Sequence, residues 1–308
     1  MDLNEDILKV ADAVDIILWP VALDYKKADI EAMADGEIAV SFINGAIRLE
    51  DQAEWSRLLR QKSQVVIAFG SCAHLGGIPA LANLKTKQGI LDTVYFDAPT
   101  VENPDKVLPQ TEVECDGHSM KLPEFWEDVK RLDEVVDVDF FLPGCPPMPD
   151  TIMDAVGAIL EGNLPPKGSV LSPTQTLCRD CPRQDTRPET VEIKQFNRVW
   201  NTEMPVDECF LAHGLVCLGP STRSGCSSMC INANMPCRGC YGPSDGVEDQ
   251  GAAYMSALGS MIAPADADKS AEIFATLDDP VGTFYRFSLS DSLAHKGGLL
   301  KNKGGRPR

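Results

Sequence analysis
Eight of the chain's eleven cysteines fall in a single stretch between Cys178 and Cys240. Apolar periodicity is weak there, so the sequence predicts a segment that buries too little hydrocarbon to order itself easily and draws folding energy from bound metal. Disulfides are the poorer reading. The start, Met1-Asp2-Leu3-Asn4-Glu5-Asp6, lacks the basic and then apolar regions of a signal peptide, and no apolar run approaches membrane-spanning length. A cytoplasmic location is therefore expected, where thiols stay reduced and serve metal binding or redox work.

The eight thiols comprise two close pairs, Cys178-Arg179-Asp180-Cys181 and Cys237-Arg238-Gly239-Cys240, with Cys209, Cys217, Cys226 and Cys230 between them. Two sets of four result. Four thiolates suit either tetrahedral zinc or a four-iron cubane, and spacing alone does not separate them. Two local features favour iron and sulfur: prolines beside Cys181 and Cys237, and the small and hydroxylated residues of Leu218-Gly219-Pro220-Ser221-Thr222. Cluster sulfides need backbone donors and room. A structural zinc module would also be shorter and would need no separate domain with further cysteines.

The first 165 residues alternate apolar runs with amphipathic stretches. Strands are expected at Val14–Trp19, Ile38–Ile43, Val65–Phe69 and Val138–Leu142, and helices at Gln52–Leu59 and Phe125–Leu132. Such alternation predicts a parallel sheet covered by helices. The last two strands run into Gly70-Ser71-Cys72-Ala73 and Pro143-Gly144-Cys145-Pro146-Pro147. Both thiols then sit at strand carboxyl ends, where open α/β sheets bind ligands, each beside a glycine that permits close approach. After a helical pattern from Ala155 to Glu161, Asn163-Leu164-Pro165-Pro166-Lys167-Gly168 reads as a linker. The expected domains are 1–165 (α/β) and 166–308 (cysteine-rich).

A formal charge of -18 would repel phosphate backbones and anionic lipid, so neither nucleic acid nor membrane is an expected partner. No P-loop or dinucleotide fingerprint is present, and flavin and nicotinamide are not expected. Cys115, among acidic neighbours, reads as a loop thiol that holds no metal. His213 reads as a loop residue that can donate to a sulfur, and His74 as an interface residue or one supporting a metal ligand. Trp19 and Trp55 fit packing roles. The acidic stretch from Glu127 to Glu134 fits a solvated helix face.

The run Cys217, Gly219-Pro220, Thr222, Gly225-Cys226 and Pro236-Cys237-Arg238-Gly239-Cys240 resembles the small subunit of nickel-iron hydrogenases. Gly70-Ser71-Cys72-Ala73 and Gly144-Cys145-Pro146-Pro147 also resemble family motifs, so the resemblance covers nearly the whole chain. It is most similar to the cytoplasmic F420-non-reducing (methyl-viologen-reducing) branch. The resemblance implies a flavodoxin-like sheet domain followed by an irregular iron-sulfur domain. It also implies a large nickel-iron partner, a [2Fe-2S] electron-transfer subunit and a heterodisulfide reductase complex as electron acceptor. The chain would transfer electrons, hold no catalytic residue of its own and be inactive alone.

By the same resemblance, Cys178, Cys181, Cys209 and Cys217 would hold a distal [4Fe-4S] cluster, with Cys178 where membrane-linked relatives use histidine. Cys226, Cys230, Cys237 and Cys240 would hold the medial cluster. Many relatives place a proline near position 230 and carry three irons there, so Cys230 implies four. Cys72 and Cys145 match two of the four proximal ligands. The family supplies the other two from a C-G-G-C-type loop after a first strand. Their absence leads to the expectation of an internal start or an unlike proximal site. Alternatives are an F420-reducing hydrogenase subunit, which usually adds C-x-x-C-x-x-C repeats that do not follow Cys240, a one-cluster quinone-oxidoreductase-like subunit and a zinc-stabilised interaction module.

Overall fold
The computed structural model describes residues 3–203, 205–262 and 267–298. Helices α1 (Asp6–Ala13) and α2 (Lys27–Ala32) lead into β1 (Ile38–Asn44) and the short β2 (Ile47–Leu49). Next come α3 (Glu50–Lys62), β3 (Ser63–Phe69), α4 (Gly70–Leu75) and α5 (Lys87–Asp92). A hairpin, β4 (Glu112–Cys115) and β5 (His118–Lys121), precedes β6 (Phe125–Lys130), β7 (Phe140–Leu142) and α6 (Pro149–Leu160).

The central sheet is parallel in the order β1-β3-β7, with Phe42 opposite Ile67 and Ile67 opposite Phe140. A middle parallel strand is buried on both faces and so must be apolar throughout. Val66, Ile67 and Ala68 of β3 are accordingly fully buried. Alternation along β3 divides the core. Val66 and Ala68 pack with Ile43, Ala53 and Leu132 on the α3 face, and Ile67 packs with Phe140, Leu142 and Ala155 on the α6 face. Glu50 and Asp51 at the start of α3 and Arg60 and Lys62 at its end match the helix dipole. Pro149 opens α6, where a missing amide hydrogen costs nothing.

Buried Asp139 pins β7 to β3. Its carboxylate accepts from the Val66 amide at 2.8 Å and pairs with Arg60 at 2.6 Å and Lys167 at 2.5 Å. Past the expected linker, the chain stays with this sheet: Phe141 donates to Ser169 and Leu171 donates to Phe141.

Two expected elements differ. Val14–Trp19 is irregular, with Val14 40% and Ile17 44% exposed, because no neighbouring strand pairs with it. Phe125–Lys130 is a strand and not a helix. It pairs antiparallel with β2 (Ile47 with Lys130, Leu49 with Phe125), and the Val129 amide donates to buried Asn83. Glu127 to Glu134 is therefore not a helix face, and Trp19 is half-buried in an irregular segment, not in a strand. Trp55 does pack from α3, edge-on to Tyr25.

The cysteine-rich half is built from 3-10 turns and short helices: α7 (Met229–Asn232), α8 (Gln250–Gly259), α9 (Ala267–Ala275), α10 (Pro280–Phe284) and α11 (Leu293–Lys296). It buries more hydrocarbon than the sequence suggests. Leu177, Ile193, Phe210, Leu215, Leu218, Ile231, Tyr254, Leu258 and Phe284 form one core that also takes in Cys217 and Cys237. These positions lie too far apart along the chain to produce a periodic pattern. Among the described residues, no helix is long and apolar enough to cross a membrane.

Candidate metal centres
Cys72 and Cys145 meet at the carboxyl edge of the sheet. Cys72 lies in α4, directly after β3, and Cys145 follows β7 by way of Pro143 and Gly144. The two loops are tied by the Ser71 amide donating to Gly144 at 2.7 Å. Gly77 has φ +59°, and a Cβ there would lie 2.6 Å from the Cys72 sulfur, so only glycine lets the chain pass. Burial raises the pKa of both thiols, and nearby Cys145 raises that of Cys72 further.

Cys178, Cys181, Cys209 and Cys217 line one cavity with Leu177, Arg183, Phe210 and Gly219. Cys178 and Cys209 are placed by 3-10 turns at Leu177–Arg179 and Phe210–His213. The Arg183 amide donates to the Cys181 sulfur at 3.4 Å and the Cys237 amide to the Cys217 sulfur at 3.3 Å. Gly219 leaves room: a Cβ there would sit 3.2 Å from the Cys178 sulfur. Burial pushes the Cys178 thiol up to about 12 and the Cys217 thiol to about 11.

The second set is drawn together around α7. Ser227 and Ser228, both at positive φ, turn the chain after Cys226, and Cys230 lies within α7. Burial pushes Cys240 up to about 12, with Cys226, Cys230 and Cys145 as neighbouring thiols. Cys237, raised by burial, neighbours Cys217 of the first set and Cys240 of its own. Ser71 also donates to the Cys240 carbonyl at 2.5 Å, joining the sheet edge to this set. The ten thiols thus form a continuous chain of neighbours from Cys72 and Cys145, through Cys240 and Cys237, to Cys217 and Cys178.

The donor set is all soft sulfur, backed by amide hydrogens and small residues. Among the described residues, no three His, Cys, Asp or Glu side chains could hold a single metal ion. Such a donor set serves a four-iron cluster or tetrahedral zinc.

The remaining residues divide clearly. His213 bonds Glu208 at 2.7 Å. His74 is half-buried, with its ring tilted against Phe141 at a centroid distance of 4.8 Å and Nδ1 unpartnered, and desolvation of the ring followed by the charges of Arg131 and Arg223 lowers its pKa to about 3. Cys115 is exposed on the β4–β5 hairpin, away from the other ten. Sequence reasoning misses two supports. Gln250 donates to Thr222 at 3.0 Å and to the Gly239 carbonyl at 3.2 Å, and the Tyr241 hydroxyl meets the Met148 amide and Thr151. Neither carries a motif, and both act across long sequence separations.

A family model described as "NADH ubiquinone oxidoreductase, 20 Kd subunit" matches residues 1–159. The iron-sulfur subunit of the F420-non-reducing hydrogenase of Archaeoglobus profundus is 34% identical over 96% of this chain and 92% of its own length. An F420-non-reducing hydrogenase subunit of Methanothermobacter thermautotrophicus is 38% identical over 95% and 89%. Among solved structures, an NAD+-reducing [NiFe]-hydrogenase in the H2-reduced state aligns with 53% of this chain and 83% of its own at 27% identity and a TM-score of 0.44. With its parallel α/β sheet and its cysteine-rich C-terminal half, this chain belongs to the family of F420-non-reducing hydrogenase iron-sulfur subunits, components of an oxidoreductase complex.

Proposed function
We propose that this chain is the electron-transfer subunit of a nickel-iron hydrogenase, passing electrons from H2 oxidation in a large partner subunit toward a [2Fe-2S] subunit and heterodisulfide reductase. The observation that carries this reading is the unbroken succession of ten neighbouring thiols from the sheet edge to Cys178. Cys178, Cys181, Cys209 and Cys217 would hold one [4Fe-4S] cluster, and Cys226, Cys230, Cys237 and Cys240 another. Cys72 and Cys145 would supply two ligands to a third, at the face toward the large subunit. Such clusters, when bound, take up and release single electrons.

The chain's own residues hold these sites in place and bury Cys217 and Cys237, while Cys145 and Cys230 stay exposed. Tyr254 and Leu258, fully buried, close the core beneath Cys217 and Cys237. The Cys237 amide donates to the Cys217 sulfur, so a ligand of one site touches a ligand of the other across one hydrogen bond. The Arg183 amide does the same service for Cys181 alone. Hydrogen bonds to ligand sulfur stabilise negative charge there, which favours the reduced state. The domain division at residues 165 and 166 belongs to the same reading, with the α/β part facing the large subunit.

The test is H2-driven bleaching of the chain's visible absorbance, compared between the anaerobically purified complex and the chain alone. Bleaching in the complex only is expected. A colourless complex, or one whose colour H2 leaves unchanged, would overturn the proposal.

A further inference from the structure
Arg183 is 3% exposed, and among the described residues no carboxylate pairs with it. Its guanidinium donates to the carbonyls of Glu208 (3.0 Å) and Ile231 (3.4 Å) and to Asn234 Oδ1 (2.7 Å), and it lies 4.1 Å over the Phe210 ring. Every one of these partners is neutral. A guanidinium does not deprotonate in proteins, so a full positive charge is buried here without a counter-charge, an arrangement that is unfavourable unless an anion is near.

The anion that fits is defined by the same cavity. Arg183 lines it together with Cys178, Cys181, Cys209 and Cys217, and it is the buried one of the two arginines there, Arg187 being exposed to solvent. Two of its hydrogen bonds hold residues next to candidate ligands: Glu208 precedes Cys209 and Ile231 follows Cys230. Its own amide bonds the Cys181 sulfur. Four thiolates around iron and sulfide carry net negative charge, and one more negative charge after reduction, so a fixed cation alongside favours the reduced form.

We propose that Arg183 is the built-in counter-charge of the cluster held by Cys178, Cys181, Cys209 and Cys217, a positioning residue that raises that cluster's midpoint potential while bracing the loops of Cys209 and Cys230. This inference rests on the function proposed above. It assigns one residue, absent from any cysteine motif, to the tuning of one cluster and not of the whole series.

The experiment is a redox titration of the anaerobically purified complex, followed by electron paramagnetic resonance. The signal altered by Cys178→Ser identifies the cluster concerned. Arg183→Gln should move that midpoint to more negative potential, and by more than it moves the others, while Arg183→Lys should hold it near the parent value. Should Arg183→Gln fail to fold, Asn234→Asp keeps the arginine and places a carboxylate on its guanidinium, and the same midpoint should fall. An unchanged midpoint in Arg183→Gln or in Asn234→Asp would overturn the proposal, as would an Arg183→Lys shift equal to that of Arg183→Gln. A parent complex with no cluster signal would instead remove the functional reading beneath it.

Discussion

Replacing Gly77 by alanine tests how tightly the sheet edge is built around Cys72. Gly77 has φ +59° and ψ -160°, a region open essentially to glycine alone, so any other residue costs about 1–3 kcal/mol in backbone strain. The added Cβ would lie 2.6 Å from the Cys72 sulfur, 2.9 Å from its Cα and 3.1 Å from its amide nitrogen. The sulfur could rotate away, but the other two atoms belong to the backbone of α4, and such overpacking adds about 1–3 kcal/mol. The total, about 2–6 kcal/mol, is a large share of the roughly 5–15 kcal/mol that usually separates folded from unfolded chains. At about 2 °C per kcal/mol for a chain of this size, the melting midpoint should fall by roughly 4–12 °C. Gly246→Ala is the control, because Gly246 also has positive φ (+75°) but a Cβ there meets nothing within 4 Å. It should cost only about 1–2 kcal/mol. The assay is the thermal melt of each variant complex at one scan rate, with iron content measured alongside. Equal melting of the two variants would refute the steric argument.

Other predictions follow from the buried charges and the exposed thiol. Burial raises the Asp139 carboxyl, but Lys167, the Val66 amide and Arg60 outweigh it and hold the pKa below the ordinary carboxylate range. The resulting stability is present above about pH 4 and is lost as pH falls below it. Asp139→Asn should therefore cost about 1–3 kcal/mol at neutral pH and remove part of the acid sensitivity, as read by urea unfolding at pH 7 and pH 3.5. His74, held neutral down to about pH 3, must be uncharged in the fold although its unfolded form protonates near 6.5. Stability from this group is complete above pH 6.5 and falls by up to about 1.4 kcal/mol per pH unit as pH drops toward 3. His74→Leu should flatten that slope between pH 6.5 and 5, and an unchanged slope would sink the assignment. Cys115→Ser should leave iron content and the melting midpoint unchanged, because the thiol is exposed on a hairpin away from the other ten.

Much of the fold is legible in the chain, and the failures share a cause. β3 carries the continuous apolar run Val65–Phe69, as a middle parallel strand buried on both faces must, whereas β1, at the edge of the sheet, alternates buried and exposed residues and is still recognisable by its β-branched and aromatic side chains. Phe125–Lys130 misleads because its apolar spacing also fits a helix. What decides it is pairing with β2, far back in the chain, together with the Asn83 side chain bonding Val129. Val14–Trp19 has the composition of a buried strand but no partner to bury it. Spacing gives eight thiols, enough for two sets of four, and the family resemblance implies which thiol joins which set; the structure brings Cys178, Cys181, Cys209 and Cys217 to one cavity. The joining of the second set to the sheet edge cannot be read that way: the Ser71 bond to Cys240 spans 169 residues, and nothing local marks it. Arg183 is silent for the same reason, since its partners at Glu208, Ile231 and Asn234 converge only after folding.

Metal analysis of the anaerobically purified complex, with an electron paramagnetic resonance spectrum of its reduced form, tests the central claim most directly. At four cysteines per cubane, the sets from Cys178 to Cys240 should account for about eight irons and two reduced four-iron signals, with Cys72 and Cys145 adding to any third site. Zinc in place of iron, with a silent spectrum, would contradict the account.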